Sequence, residues 1–410
     1  MYTKIALSLT VSCVILFLYF VLNKRTNGAK SLNLPPGPRK LPLIGNIHQL
    51  AGLLPHRAFR DLARKHGPIM HIQLGQISAV IVSSPRIAKE VLKTHDVALA
   101  DRPKTFGSEL VLYRNTDIAL APYGEYWRQM KKIASLELLS AKKVQSFGLI
   151  REQELCGFMN FLRISSGKPI NIHKTITELV NNVVCKASFG RNCKHQDALL
   201  EFLDEFGRVN SRFYVADLFP DFKFLYVVSG LRSTLTKMHK TLDKIFNDIF
   251  EEHDSRKRDG GEQEEDLLDV LLRIKEEGGL EFPITNNNIK AIFVLFQLII
   301  NAWACSTDPE YWDDSESFKP ERFENTSVDF MGTNYQFIPF GSGRRMCPGM
   351  NFGLTTVEFF LAQMLYYFNW ELPDGLNPND VDMAETDGLL AAKKIHLHLI
   401  PTSYAPYIIN

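Results

Sequence analysis

The sequence has no closely spaced cysteine pair and no marked excess of positive or negative charge. Both absences narrow the class of protein. It contains no CxxC motif, and its six cysteines lie far apart, at Cys13, Cys156, Cys185, Cys193, Cys305 and Cys347. This spacing is unlike a disulfide framework or a zinc ribbon, and it favours a reducing compartment in which one or more cysteines are kept for chemistry. The formal net charge is +1, so bulk electrostatics do not indicate a nucleic-acid partner.

A second long hydrophobic run is also missing. The uncharged stretch 291–304 is too short to span a membrane, whereas the uncharged stretch 5–22 reaches roughly 27 Å as a helix, close to the thickness of a hydrocarbon core. A cleaved secretory signal is the alternative, but no small-residue cleavage site follows. The basic residues that follow the stretch are Lys24, Arg25, Lys30, Arg39 and Lys40. They predict a membrane anchor over 1–23 with the rest of the chain on the cytosolic side.

The remaining composition is that of a folded body. Charged residues make up 23% and hydrophobic residues 45% of the chain, which argues against wholesale disorder. Pro35, Pro36 and Pro38 predict a stiff, extended hinge over the basic, proline-rich residues 24–46. Residues 47–410 form the third predicted unit, the main body.

Hydrophobic periodicity predicts that this body is mainly α with a small β-sheet region. We predict a hairpin from residues 71–74 and 79–82, and a helix from Pro85 to about Thr94. Other helical stretches are 126–139, 174–189 and 234–252. The charged run 251–266 predicts a solvated loop. Residues 287–304 combine a helix start, with Thr285 or Asn286 as its cap, with a strand-like stretch at 299–304 and no turn between them.

The chemistry is concentrated in residues 339–350, PFGSGRRMCPGM. The glycines Gly341, Gly343 and Gly349 allow backbone conformations and close approaches that other residues do not. Pro348 suits the first turn of a helix, so Cys347 is predicted at a helix amino terminus. The helix dipole contributes about 0.3–2 kcal/mol toward a thiolate, and a bound metal ion supplies the rest. Arg345 is suited to hold a carboxylate.

Two other interpretations of Cys347 remain open at this point. It could be a buried, inert cysteine that follows a glycine-rich turn. It could also be the nucleophile of a hydrolase, although the sequence assigns it no histidine or acid partner.

The pattern Phe340-x-x-Gly343-x-Arg345-x-Cys347-x-Gly349 resembles the heme-binding loop of the cytochrome P-450 superfamily. The anchor, the Pro-Pro-Gly-Pro hinge and the stretch 318–323 are similar to plant microsomal members, most of all to those that oxidise terpenoids. The resemblance implies heme b (iron protoporphyrin IX), with Cys347 as the iron ligand.

A second resemblance lies in residues 121–131. They are similar to the family's third helix, in which Trp127 and Lys131 would bind the heme propionates, with Lys131 standing where arginine is commoner. The cations Arg128, Lys131, Lys132, Lys142 and Lys143 form a basic face that would dock an acidic flavoprotein reductase, although a plain solvated face explains them nearly as well.

The implied activity is insertion of one oxygen atom of O2 into a lipophilic, terpenoid-like small molecule, with electrons from an NADPH-dependent flavoprotein reductase. The implied location is the endoplasmic reticulum membrane, with the body on its cytosolic face. Segments 101–123 and 206–219 correspond to loops and helices that line the substrate pocket.

The chain departs from the family pattern in the middle. The acid–threonine pair that delivers protons to bound dioxygen has no counterpart, so no catalytic residue is assigned. The Glu-x-x-Arg pair that joins Arg322 in a buried ionic network is also missing. We predict that roughly a hundred residues are absent at a seam near 297–298, about the size of a domain. The alternative function is therefore a catalytically inactive, membrane-anchored variant or a faulty gene model.

Overall fold

The fold is mainly helical with small sheets, which confirms the predicted fold class of the body. This computed structural model describes residues 33–190, 196–210, 214–258, 265–292, 301–386 and 393–404. Within those ranges the α-helices are α1 (Pro55–His66), α2 (Pro85–Lys89), α3 (Asp96–Leu99), α4 (Phe106–Val111), α5 (Glu125–Ile133), α6 (Ala141–Ser146), α7 (Gly148–Ile164), α8 (Ile172–Phe189), α9 (Gln196–Asn210), α10 (Val215–Leu218), α11 (Leu225–Val228), α12 (Leu231–Arg258), α13 (Leu267–Glu277), α14 (Asn286–Ile292), α15 (Ala302–Ser306) and α16 (Met350–Tyr367).

Two of these helices continue without a break into a wider π turn. α2 runs into Glu90–Thr94 and α5 runs into Ala134–Leu138. The side chain of Ser84 accepts a hydrogen bond from the backbone N–H of Ile87 and so caps α2. The predicted helices at 85–94 and 126–139 are therefore confirmed.

The strands form two small antiparallel sheets. β1 (Ile69–Leu74) pairs with β2 (Ile77–Val82), so that Ile69 lies opposite Val82 and Leu74 opposite Ile77, which confirms the predicted hairpin. Every second side chain of β1 is buried, as expected for a sheet with one covered face. The other sheet has the order β3 (Ile170–Asn171), β5 (His398–Ser403), β4 (Phe368–Glu371).

The described end of the predicted hinge is docked on the first sheet. The backbone N–H of His71 donates to the carbonyl of Pro36 at 2.9 Å. A Cβ added at Gly37 would lie 2.0 Å from the carbonyl oxygen of His71, so only glycine fits there. The connector is therefore attached to the body from about residue 36.

The core is built by helices with apolar stripes. Leu235, Leu242 and Phe246 of α12 are fully buried in the larger cluster, which also includes α5, α13 and α14. Each such side chain contributes about 1.5–3 kcal/mol relative to an exposed one. A second cluster joins α16 to α7 and α8 through Phe360 and Met364.

The prediction of a solvated loop over residues 251–266 is wrong for its first half. α12 continues to Arg258, because His253 faces inward, is only 3% exposed and has its Nε2 3.0 Å from Asp269 Oδ1. Asp266 is the buried N-cap of α13. Residues 259–264 lie outside the described residues.

The segment around the predicted seam is partly described. Thr285 Oγ1 accepts from the backbone N–H of Asn288, which confirms Thr285 as a cap of α14. The predicted strand at 299–304 is wrong where it can be seen, because residues 302–304 begin α15. Asn301 caps that helix by accepting from Ala304 N–H at 3.0 Å. The seam at 297–298 lies outside the described residues.

None of the helices in the described ranges has the length and apolar character needed to cross a membrane. The predicted anchor, residues 1–23, falls outside those ranges.

Candidate heme-binding site

The cysteine loop is closed by short backbone hydrogen bonds. Cys347 N–H donates to the carbonyl of half-buried Phe340 at 3.0 Å, and Met346 N–H donates to that of Gly343 at 3.1 Å. The Cys347 side chain is exposed. α16 begins at Met350 with Gly349 as N-cap, so the prediction that Pro348 lies in the first turn is wrong by two residues. The thiol still precedes the helix amino terminus.

The glycines of the loop do not all have the same role. Gly343 has φ +70°, and a Cβ there would lie 2.4 Å from the carbonyl oxygen of Leu92. Gly349 has an ordinary φ of −88°, and a Cβ there would make a normal contact 3.9 Å from the sulfur of Cys347. Gly343 is therefore required by packing against the turn that follows α2, whereas Gly349 leaves space beside the thiol.

Arg345 donates to three backbone carbonyls. Its guanidinium contacts the oxygens of Ala100 at 2.9 Å, Ile118 at 3.2 Å and Ala121 at 2.7 Å. It also lies 4.3 Å from the ring centroid of Trp127. Burial lowers the pKa of Arg345. The arginine is thus held in one orientation at the base of the cysteine loop.

The two residues of α5 that the family resemblance assigns to the heme propionates, Trp127 and Lys131, lie beside Arg345. Trp127 is 4% exposed, and its indole N–H donates to the carbonyl of Ile118 at 2.8 Å. Lys131 Nζ donates to the carbonyl of Met346, next to Cys347. Burial lowers the pKa of Lys131, with the nearby thiol of Cys347 acting in the opposite direction. The structure therefore brings Cys347, Arg345, Lys131 and Trp127 together from two distant parts of the chain.

Arg102 is a further member of the site that sequence reasoning missed. It is 7% exposed, its Nε donates to the carbonyl of Ala119 at 3.1 Å, and its buried Nη1 has no partner among the described residues. Burial, followed by the charge of Arg345, lowers the pKa of Arg102 to about 10. The available signal was an arginine next to proline in the segment predicted to line the pocket.

Asp117 shapes the turn that holds these cations. Its Oδ1 accepts from the backbone N–H groups of Ala119 and Leu120, both at 2.8 Å. The side chain is fully buried, and burial raises the pKa of Asp117 to about 6. The turn that it organises supplies carbonyl acceptors to Arg102, Arg345 and Trp127.

The charge balance at this site fits an anionic ligand. Within the described residues, the guanidinium groups of Arg102 and Arg345 have no carboxylate oxygen within 4 Å, and one guanidinium nitrogen of Arg102 has no partner. A buried cation beside a half-buried one is costly unless negative charge is supplied nearby. A heme has two propionates at one edge, and the exposed Cys347 sulfur is the kind of soft ligand that iron takes.

Comparison with known proteins decides the family. The cytochrome P450 family model matches residues 35–297 and 296–399. The chain belongs to the cytochrome P450 family. Heme iron is therefore its family cofactor, and monooxygenation, an oxidoreductase reaction, is its family activity.

Several relatives of this P450 oxidise terpenoids. It is 45% identical to cytochrome P450 Tp9025 from Tanacetum parthenium, over 96% of this chain and 97% of that protein. It is 41% identical to costunolide synthase from Lactuca sativa (96% and 98% covered) and 39% identical to premnaspirodiene oxygenase from Hyoscyamus muticus (95% and 97% covered). A zebra fish cytochrome P450 structure with progesterone has a TM-score of 0.68 at 18% identity, covering 86% of this chain and all of that one. The structural likeness shows the shared P450 fold.

The same comparisons bear on the predicted seam. The family match is interrupted at 296–297, one residue from the predicted position. The alignment with the Tanacetum relative runs over 485 residues, whereas 96% of 410 residues is about 394, so about 90 aligned positions have no residue in this P450. The interval is close to the predicted hundred residues.

Arg322 of the predicted ionic network has local partners. It donates to the carbonyls of Asp313, Asp314, Ser317 and Lys319. Arg322 is therefore hydrogen-bonded without the missing Glu-x-x-Arg pair.

The two histidines near the carboxyl end differ in their surroundings. His398 lies in β5, and His396 precedes that strand. The His396 ring packs 4.4 Å from that of His173, measured between ring centroids.

Proposed function

We propose that this P450 binds heme b through the thiolate of Cys347 and acts as a monooxygenase on a lipophilic, terpenoid-like small molecule. The observation that carries the proposal is the pair of arginines, buried Arg102 and half-buried Arg345, beside the exposed cysteine sulfur. They match the two propionates and the iron of one heme.

Different residues of the site would bind different parts of the heme. Cys347 is the iron ligand, and Arg102, Arg345 and Lys131 neutralise the propionate edge. Trp127 fixes Arg345 by lying against its guanidinium. A heme with a thiolate ligand supplies cleavage of the O–O bond of dioxygen.

The proposed substrate class is supported by the relatives and by the residues over the site. Relatives named costunolide synthase, premnaspirodiene oxygenase and germacrene A acid 8-beta-hydroxylase have identities of 39–41% to this chain. In the segment 101–123, Phe106, Leu110 and Leu120 are half-buried apolar side chains beside the main core. An apolar lining of this kind favours a lipophilic substrate.

The proposed location is the endoplasmic reticulum membrane, with the body on the cytosolic face. The apolar stretch 5–22 and the basic residues after it support this topology. A further support is the exposed apolar group on and before α11, where Phe224, Val227 and Val228 are 58%, 60% and 78% exposed. An exposed group of this size is typical of a surface that meets a membrane or a partner.

The proposed electron donor is an NADPH-dependent flavoprotein reductase, but the predicted docking face is smaller than expected. Arg128 pairs with Glu125, Lys143 donates to the carbonyl of Glu265, and Lys131 is turned toward the cysteine loop. Lys132 and Lys142 are the exposed cations of the original five for which the described residues offer no carboxylate partner. Docking would therefore depend on these two.

The second candidate function is a membrane-anchored chain without monooxygenase activity. The observation that favours it is the interval of about 90 aligned positions that has no residues here. The interval lies at 296–297, a few residues after the described end of α14, and the proton-delivering acid and threonine of the family would lie within it.

The test is turnover by the full chain in membranes with a plant NADPH-dependent reductase. Sesquiterpene hydrocarbons are the substrates, and oxygenated products are measured by mass spectrometry. The proposal expects NADPH- and oxygen-dependent product that is lost in the Cys347→Ala variant. Heme uptake without product would favour the second candidate and contradict the monooxygenase assignment.

A further inference from the structure

Three consecutive residues in the segment before the heme site have left-handed backbone angles. Tyr113, Arg114 and Asn115 have φ values of +48°, +61° and +55°. The left-handed region is costly for residues other than glycine, and least so for asparagine. Strain of this kind persists only where surrounding contacts hold the backbone in place, and it is concentrated at functional sites. The contacts that hold this turn therefore bear on function.

One end of the turn is held by a buried lysine of α14. Lys290 is 5% exposed, and its Nζ donates to Asp243 Oδ1 and to Asn247 Oδ1, both at 2.6 Å. The same oxygen of Asp243 accepts from the hydroxyl of Tyr113 at 3.2 Å. Burial acts to raise the pKa of Asp243, but the hydrogen bond and charge of Lys290, together with Tyr113 and Asn247, outweigh burial and lower that pKa. An ion pair thus fixes the first residue of the turn.

The other end of the turn is held from the same helix. Asn288 is 8% exposed, and its Nδ2 donates to the hydroxyl of Tyr126 at 3.0 Å. That hydroxyl donates to the carbonyl of Thr116 at 2.7 Å. Thr116 follows the turn directly, and its own hydroxyl donates to the carbonyl of Tyr113 at 2.9 Å. α14 therefore holds both ends of the turn, through Lys290 and Asn288.

The turn leads into the carbonyls that orient the arginines of the heme site. Residues 117–121 follow after a single residue, and their carbonyls accept from Arg102, Arg345 and Trp127. Because consecutive Cα atoms are only about 3.8 Å apart, a turn that shifts carries these acceptors with it. The residues of α14 that hold the turn precede 296–297, where the family match is interrupted. These contacts therefore do not need the residues of the interval.

We propose that Lys290 and Asn288 are positioning residues for the heme propionates. By holding the left-handed turn, they set where the carbonyls of residues 117–121 orient Arg102 and Arg345. The inference rests on the heme binding proposed above. It gives α14 a role at the propionate edge that the sequence motifs did not indicate.

Trypsin cleavage after Arg114, the exposed residue of the turn, tests the hold of α14 in the full chain without heme. Lys290→Met keeps an apolar side chain of similar length and removes the charge. We expect cleavage after Arg114 to be about 10- to 100-fold faster, because a hydrogen bond to a charged group is lost and cleavage follows the population of the open turn. Lys244→Met, at an exposed lysine of α12, is the matched control and should leave the rate unchanged.

Cleavage at a second position separates opening of the turn from global unfolding. Arg151 is buried in α7, so cleavage after it requires the fold to open. An equal increase at Arg151 and Arg114 in Lys290→Met would overturn the proposal. Tyr126→Phe cuts the contact with Asn288 and provides a second variant if Lys290→Met does not fold. It should speed cleavage after Arg114 by about 2- to 10-fold, the range for a neutral hydrogen bond, and an unchanged rate would contradict the proposal.

The resonance Raman spectrum of the heme-bound chain provides a readout at the propionates themselves. Lys290→Met should shift the propionate bands and leave the iron–sulfur band in place, because the turn acts on the propionate edge and not on Cys347. Unchanged propionate bands would overturn the positioning role, even in a less stable variant. A parent that binds no heme would refute the proposed function as well, whereas a heme-binding parent with unchanged Arg114 cleavage in Lys290→Met would overturn this inference alone.

Discussion

At the scale of single residues, the site depends on charges that the sequence motif does not reveal. The motif indicated Arg345 and Cys347, and the structure brings them to Lys131 and Trp127. Arg102 was not indicated, because a lone arginine beside a proline has no distinctive spacing. Its importance follows from burial and from a guanidinium nitrogen without a partner, and both properties exist only in the folded chain.

Replacing Arg102 with glutamine should weaken heme binding. A hydrogen bond to a charged group is worth about 1.5–3 kcal/mol, so we expect an apparent affinity about 10- to 100-fold lower. Titration of the heme-free chain with heme, followed by absorbance, measures it. Arg128→Gln, at an exposed arginine on α5, is the matched control. An Arg102 variant that binds heme as tightly as this control would contradict the assignment.

Asp117 makes stability depend on pH. Because burial raises the pKa of Asp117 to about 6, the folded chain holds the proton more tightly than the unfolded chain, whose carboxyl has an ordinary pKa near 4. The contribution of this group to stability is therefore full below about pH 4 and is lost as the pH rises through 6.

The Asp117→Asn variant keeps the acceptor oxygen and removes the charge. We expect its free energy of unfolding to exceed the parent's by up to about 3 kcal/mol at pH 7 and to converge with it below pH 4. Chemical denaturation at both pH values measures the difference. A difference that does not change with pH would show that burial of the charge is unimportant.

At the scale of helices and strands, hydrophobic periodicity predicted correctly where several elements lie, but it predicted poorly where some of them begin and end. The hairpin and the helices α8 and α12 followed from patterns that tertiary packing reinforces. The charged run after residue 251 failed as a loop prediction because a single inward histidine, His253, continues α12. The strand predicted at 299–304 failed because Asn301 offers a helix cap, a local hydrogen bond that outweighs β propensity.

The turn at Gly343 gives a test at this scale. Gly343→Ala combines a positive φ with a Cβ 2.4 Å from the carbonyl of Leu92, so we expect a loss of at least about 1 kcal/mol in the free energy of unfolding. Gly353→Ala in α16, where an added Cβ meets nothing within 4 Å, should instead stabilise the chain by about 0.5–1 kcal/mol. Urea denaturation of both variants measures these changes in the free energy of unfolding. Equal changes in the two variants would contradict this account.

At the scale of the whole molecule, the sequence indicated both the family and the interruption near residue 297. It could not indicate the surface that the interruption leaves. α16 is apolar on nearly all sides, and such a helix is normally buried all round. Here Val357, Leu361 and Leu365 are 56%, 49% and 65% exposed, next to the stripe that packs on α7 and α8.

Restoring the interval should cover that surface. We expect a chimera carrying the aligned residues of the Tanacetum relative between positions 296 and 297 to bind less of a hydrophobic dye and to retain more heme through gel filtration. An inserted Gly/Ser linker of equal length is the control, because it adds chain without apolar helices. A chimera that behaves like the linker control would refute this explanation of the exposed face.

The central claim is that Cys347 ligates heme iron in this chain as it stands. The most direct measurement is the absorption spectrum of the purified full chain after reduction and exposure to carbon monoxide. The account predicts the red-shifted Soret band of a thiolate-ligated heme in the parent and its loss in the Cys347→Ala variant. The same band in both proteins, or bound heme whose spectrum has no thiolate character, would contradict it.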